Sequence, residues 1–189
     1  MMGEDNTSQN ACSIKELTLI LECVNIILII VGILFLEGGR LMESIYSVAK
    51  YFLYKEAMTH KKLQKLCYFA QAWHLANYEK ALVPNRFEAW VHGPVCPDLY
   101  SRYRSWGWET IPKRKRPPEF NDIDVAGFLD QVFMAYGDYD ANTLENITHK
   151  EAPWINARKG VPLGMYCRNP ISKRDMKVYY GERIDKHYD

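Results

Sequence analysis

The chain has 189 residues, enough for one ordinary domain with an extension or for two very small domains. Hydrophobic residues at 48% and aromatics at 13% supply ample core material, and a charged fraction of 25% is that of a typical globular chain, so disorder is not the default expectation. Twenty-four basic side chains against twenty-three acidic ones leave a net charge of +1, so binding of nucleic acid through phosphate neutralisation is not expected.

The first predicted element is unlike the rest. Leu17 to Leu36 reads LTLILECVNIILIIVGILFL, about long enough to cross a bilayer, with Glu22 and Asn25 as polar interruptions. The acidic start MMGED and the following EGGR do not fit a cleaved signal peptide. Two readings stand at similar weight. One is an inner-membrane anchor through Leu17–Leu36. The other is a translation start placed too early, with Met42 the initiator, because Glu-Gly-Gly-Arg is what a purine-rich ribosome-binding sequence encodes. Residues 1–41 are therefore expected to be a hydrophobic extension, and 42–189 a separate helical domain. A membrane enters only if residues 17–36 are translated and inserted.

From Met42 onward the periodicity is helical. Ile45, Val48, Ala49, Phe52 and Leu53 share one face of an amphipathic helix. Thr59 can cap a second helix with Leu63, Leu66, Cys67, Ala70 and Trp73 inward. Phe69, Ala72 and Ala76 widen that stripe, so this helix is expected to be central and buried on more than one side. Phe87, Ala89 and Val91 alternate with Glu88, Trp90 and His92 in a short strand, expected to pair with residues near Ala81 to Pro84. Pro94 and Pro97 end it, and Pro97 opens a helix carrying Leu99, Tyr100, Tyr103 and Trp106. Pro112 to Pro118, PKRKRPP, reads as an exposed loop.

Asp124 caps the most regular helix, Val125 to Tyr136, and Gly137 stops it. Asp140 opens a shorter one with Leu144 and Ile147 inward. Pro153 begins another, with Trp154 buried just inside. Ser172 and Asp175 form a cap before Met176, Tyr179 and Tyr180. The fold class is mainly α, a compact domain of five or six helices with one small β-hairpin.

Two segments are dense in reactive residue types, FEAWVHGPVCPDLY (Phe87 to Tyr100) and THKEAPWINAR (Thr148 to Arg158). His92, His149 and Glu151 are the residues from which a metal-dependent or His-dependent hydrolase or nuclease would be assembled. No H-x-x-x-H or H-E-x-x-H spacing supports a metal site, and no P-loop, G-x-S-x-G or G-x-G-x-x-G is present. The scaffold reading is favoured: His149 and Glu151 hold chain ends together through bonds to backbone groups. Lys113 to Arg116, KRKR, has no interleaved aromatics for base stacking and reads as a solvated loop. The cysteines, Cys12, Cys23, Cys67, Cys96 and Cys167, are odd in number and contain no C-x-x-C pair, which fits a reducing cytoplasm.

From about Ile45 to Asp185 the chain resembles the Panacea domain family of SocA/GepA-like antitoxins and phage-associated proteins. The resemblance is carried by KKLQKLCYFAQAWHL (Lys61 to Leu75), FEAWVHGPVCPDLY and THKEAPW, in that order. It implies a non-enzymatic role: an antitoxin of a type II-like system that neutralises a cognate toxin encoded nearby by binding it. The alternative it implies is a SocA-type adaptor that delivers a toxin to a Clp protease. No cofactor is implied. The motif positions expected at a toxin interface are Lys62, Lys65, Trp90, His92, Tyr100, His149, Glu151 and Trp154. Leu63, Leu66, Gly93, Pro94, Pro97, Leu99 and Pro153, with Ala89, are expected to be structural. Physically, Lys62 and Lys65 are expected either to face solvent or to pair with Glu88 or Glu151, since neither can be buried alone.

Overall fold

A computed structural model of the protein describes residues 41–185. Leu17–Leu36, and with it the choice between an anchor and upstream translation, lies outside the described residues. Among the described residues no helix is long and apolar enough to cross a membrane.

Seven α-helices are described, with two small antiparallel sheets of two strands each, so the fold is mainly α. Helix α1 (Ile45–Lys55) starts at Ser44, whose Oγ accepts from the Tyr46 N–H, and it buries the five positions its periodicity marked. Strand β1 (Met58–Thr59) leads into α2 (His60–Tyr78), capped by Thr59, whose Oγ1 accepts from the Lys62 N–H. Every residue of α2 from Lys62 to Ala72 is buried, as the wide stripe predicted. The other elements wrap around it. Small Ala70 and Ala72 let neighbours approach closely, and Phe69 stacks on Tyr136 with centroids 4.0 Å apart.

Strands β2 (Glu88–Trp90) and β3 (Gly93–Val95) form a hairpin, with Trp90 opposite Gly93 and Val91–His92 as the turn. The expected partner of β2, Ala81 to Pro84, lies elsewhere. Val91 and His92 keep negative φ; the positive φ falls on the residue just after the turn, Gly93 at +91°, a conformation that glycine adopts without strain. The 81–84 segment is instead fastened to α2 by Gln71, whose Oε1 accepts from the Val83 N–H at 2.9 Å while its Nε2 donates to the Val83 carbonyl at 3.3 Å. On the other edge of β2, the Ala89 N–H donates to the Asn169 carbonyl at 2.9 Å, and the Ile171 N–H donates to the Phe87 carbonyl at 2.8 Å.

Helix α3 (Pro97–Tyr103) begins with proline as expected and continues into a 3-10 turn, Arg104–Trp106. Strand β4 (Thr110–Ile111) then pairs with β1, a second sheet that two-residue strands leave no periodicity to predict. The loop through Lys113 to Arg116 is exposed. Helix α4 (Val125–Tyr136) lacks the expected cap: the Asp124 backbone is already in the helical region and its side chain makes no cap hydrogen bond. The helix ends at Gly137, where a Cβ would stand 2.5 Å from the Phe133 carbonyl oxygen. Helix α5 (Ala141–Thr148) is capped by Asp140 through the Thr143 N–H at 2.7 Å. Helix α6 (Ala152–Ala157) has Pro153 in its first turn. Helix α7 (Lys173–Asp185) places Met176 and Tyr180 in the core.

Candidate functional site

The two dense segments meet. The Trp154 indole donates to the Trp90 carbonyl at 3.1 Å, and the Arg158 guanidinium donates to the Ala89 carbonyl at 2.8 Å. His149 stacks on Trp154 with centroids 4.1 Å apart and hydrogen-bonds the backbone of Val91. Arg158 also donates to the carbonyls of Pro162 and Met165, so one buried side chain fixes β2 to the 159–166 loop.

On the outer side of this junction lies a cleft of about 360 Å³. Its walls come from the start of α2 (His60, Lys61, Gln64, Lys65), the β2–β3 hairpin (Trp90, Val91, His92, Val95) and α3 with the turn after it (Tyr100, Arg104, Gly107, Trp108), and from Tyr166 and Cys167. Trp90 packs on Tyr100 at 4.9 Å, and Tyr100 on His60 at 5.6 Å. Trp108 and Tyr166 stand 75% and 74% exposed at its mouth, beside exposed Trp106 and Met165. The Arg168 guanidinium lies 5.1 Å over the Trp90 ring.

The lysines are not placed as expected. Lys62 is buried, with its ammonium donating to the Gly137 carbonyl at 2.6 Å and to Glu56 at 3.1 Å, so it anchors the end of α4. Lys65 is 1% exposed and donates to the Pro94 carbonyl at 3.2 Å. Neither faces solvent, and neither pairs with Glu88 or Glu151. The reach of a four-carbon stem explains this: it lets the ammonium find a backbone carbonyl on a neighbouring segment far along the chain. Burial pushes the Lys65 amine down to about 7, against the attraction of Glu145 and with repulsion from Lys61.

Gly93 makes room for that lysine. A Cβ there would come within 2.8 Å of both Lys65 Cε and Thr148 Oγ1. The corner is therefore a seat for the Lys65 side chain as well as a strand-to-helix turn. Gln64 holds the next step of the chain: its Oε1 accepts from the Cys96 N–H at 2.9 Å and its Nε2 donates to the Cys96 carbonyl at 3.3 Å.

The grouping of His92, His149 and Glu151 does not form. Glu151 is buried and accepts from the Tyr180 hydroxyl at 2.7 Å, tying α6 to α7 by a side chain and not by a backbone group. Burial pushes its carboxyl up to about 7, against the Tyr180 hydrogen bond and the Arg183 charge. The acid between the two histidines is Glu145, on α5. His92 Nδ1 is 3.1 Å from its Oε1, His149 Nε2 is 3.9 Å away, and the Lys61 ammonium bonds its other oxygen. Although burial opposes it, hydrogen bonds from Lys61 and His92 hold the Glu145 carboxyl below its ordinary range. Glu145 had no signal in the sequence beyond being the polar face of an amphipathic helix. Among the described residues no group of three or more His, Cys, Asp or Glu side chains is placed to hold a metal.

Glu88, the buried acid of the hairpin, takes the Trp90 indole N–H at 2.8 Å, Arg86 at 3.0 Å and Arg168 at 3.4 Å. Both carboxylates beside the cleft are thus already satisfied by cations and ring N–H groups.

A family model described as "Antitoxin SocA-like, Panacea domain" matches residues 63–155. Over those residues, just under half of the chain, the protein is similar to the Panacea family. The chain is also 31% identical over 122 residues to Antitoxin SocA of Caulobacter vibrioides (strain NA1000 / CB15N), a match covering 56% of this chain and 64% of the relative. The chain thus spans less than two thirds of that relative's length. No solved structure matches the chain. Within the matched residues, Leu63, Leu66, Ala89, Leu99 and Trp154 lie in the core, and Trp90, His92 and Tyr100 reach the cleft. Tyr166, Cys167 and Arg168 complete the cleft from beyond the matched residues.

Proposed function

We propose that this protein is the antitoxin of a type II-like toxin–antitoxin pair. It acts in the cytoplasm, without catalysing a reaction, by binding a toxin protein encoded nearby. The match of residues 63–155 to a SocA-like Panacea domain carries this reading. The cleft supports it: exposed Trp106, Trp108 and Tyr166, with Arg168 half-exposed over Trp90, are the residue types that dominate binding energy at protein interfaces.

In this reading Trp90, His92 and Tyr100 touch the toxin, and Lys65 underlies them. Lys62, His149, Glu151 and Trp154 shape the surface from within. Co-expression with the adjacent reading frame tests it. Growth is restored and the two proteins co-purify as a stable complex; toxicity that persists beside soluble antitoxin refutes the reading. Rescue that vanishes when the Clp protease is deleted converts steric block into delivery. Loss of rescue on His149→Gln while the complex still forms would return the hydrolase reading.

A further inference from the structure

The charge around the cleft is lopsided. Glu88 and Glu145 are occupied by Arg86, Arg168, Lys61 and His92. Arg104 is exposed on the cleft wall and has no carboxylate partner among the described residues. Lys65, almost wholly buried at the floor, spends one of its donors on Pro94 and has no other hydrogen-bond partner among the described residues. An ammonium carries three donors, and a buried one with unused capacity is costly unless an acceptor arrives. The rest of the lining is aromatic and aliphatic, with Trp108 standing clear of the fold. Unused N–H donors at the floor and the Arg104 charge on the wall, inside an aromatic mouth, select for a group that is negative at its tip and flat or apolar beside it.

We propose that the cleft seats an acidic–aromatic segment of the toxin polypeptide. An Asp or Glu carboxylate of the toxin approaches Lys65 and Arg104, and a neighbouring Trp, Tyr or Phe packs against Trp90, Tyr100 and Trp108. This rests on the antitoxin reading and supplies the chemistry of its partner. Lys65 gains the acceptor that the free protein lacks, so the carboxylate is recognised by geometry and the aromatic by area. A segment carrying only the aromatic leaves the ammonium unsatisfied; one carrying only the acid leaves Trp108 in water.

The test selects a phage-displayed random dodecapeptide library on the full chain. Trp108→Ala and Arg104→Glu serve as counter-selections, both at exposed positions and each checked by circular dichroism. Enriched peptides pair Asp or Glu with an aromatic residue. A synthetic peptide of that kind loses at least tenfold in affinity on either variant, and again when its acid is changed to the amide. Three results overturn the proposal: no enrichment, enrichment of peptides without an acidic residue, or equal binding to wild type and variants. A dimer that Trp108→Ala dissolves would give the cleft to a second copy of this chain, and also overturns it. Rescue by wild type that persists undiminished in both variants defeats the cleft and leaves the antitoxin reading standing. Failure of wild-type rescue defeats the antitoxin reading, while the peptide selection still judges the cleft.

Discussion

Gly93 carries two demands that no other residue meets: a φ of +91° and an absent Cβ where Lys65 passes. Gly93→Ala is therefore expected to cost about 1–3 kcal/mol from backbone strain alone. Contact with Lys65 and Thr148 adds to that loss, and urea denaturation reads the total. The lysine itself is a burden on the fold. Its amine titrates near 7 when folded and 10.5 when unfolded, so below pH 7 the folded state carries the full cost of a buried charge. Lys65→Met is expected to be more stable than wild type at pH 6, by a few kcal/mol. The gap should narrow as pH rises from 7 towards 10.5, where the unfolded chain also loses its proton. A gap that stays constant across that window would show that Lys65 does not titrate in this way. Gly93 was legible as a turn glycine, and Lys65 as a residue needing a partner. That each explains the other was not, because contacts across 28 positions leave no trace in local spacing.

At the scale of elements, α2 does more than fill the core. Gln64 and Gln71 sit two helical turns apart on this helix, and each clasps both backbone groups of one residue in a passing segment, Cys96 and Val83. Side-chain amides here stand in for the neighbouring strand that neither segment has. Gln71→Leu would strand a buried N–H and a buried carbonyl, a loss of roughly 2–5 kcal/mol. Differential scanning calorimetry measures it, and a shift no larger than that of an exposed control such as Asn142→Ala would sink the idea. The helices were readable because the 3.6-residue period survives burial on one face and because Thr59 and Asp140 cap as expected, whereas Asp124 does not. The hairpin partner was not. Ala81–Pro84 is a short apolar run of the kind a strand uses but is bonded through Gln71, and glutamine on a helix ordinarily reads as a polar face.

For the molecule as a whole, two buried groups pull stability in opposite directions along the pH axis. Glu151 titrates near 7 folded and 4.5 unfolded, so its contribution is fully present below 4.5 and is lost as pH rises through 7. Lys65 begins to return stability only above 7. Together they place a shallow trough near neutral pH. Glu151→Gln keeps an acceptor for Tyr180 and is expected to gain on the order of 2 kcal/mol at pH 8, with the gain vanishing below pH 4.5. Urea midpoints across pH 4 to 10 should show the trough in wild type and its loss in the Lys65→Met, Glu151→Gln double variant. The sequence placed both residues among the motif positions, and the structure turns Glu151 from a prospective interface acid into the tie between α6 and α7.

The three described cysteines make the fold a set of clocks. Cys67 and Cys96 are shut inside the core, and burial pushes both thiols up, so an alkylating reagent reaches them only when the domain opens. Cys96 waits on release of the Gln64 clasp; Cys67 waits on loss of the central helix's surroundings. Cys167 is also buried, but it lines the cleft with Tyr166. Mapping alkylation by mass over time would therefore separate local opening, global opening and occupancy of the cleft in one experiment. A seated partner should slow Cys167 most, and no label would have to be engineered into the chain.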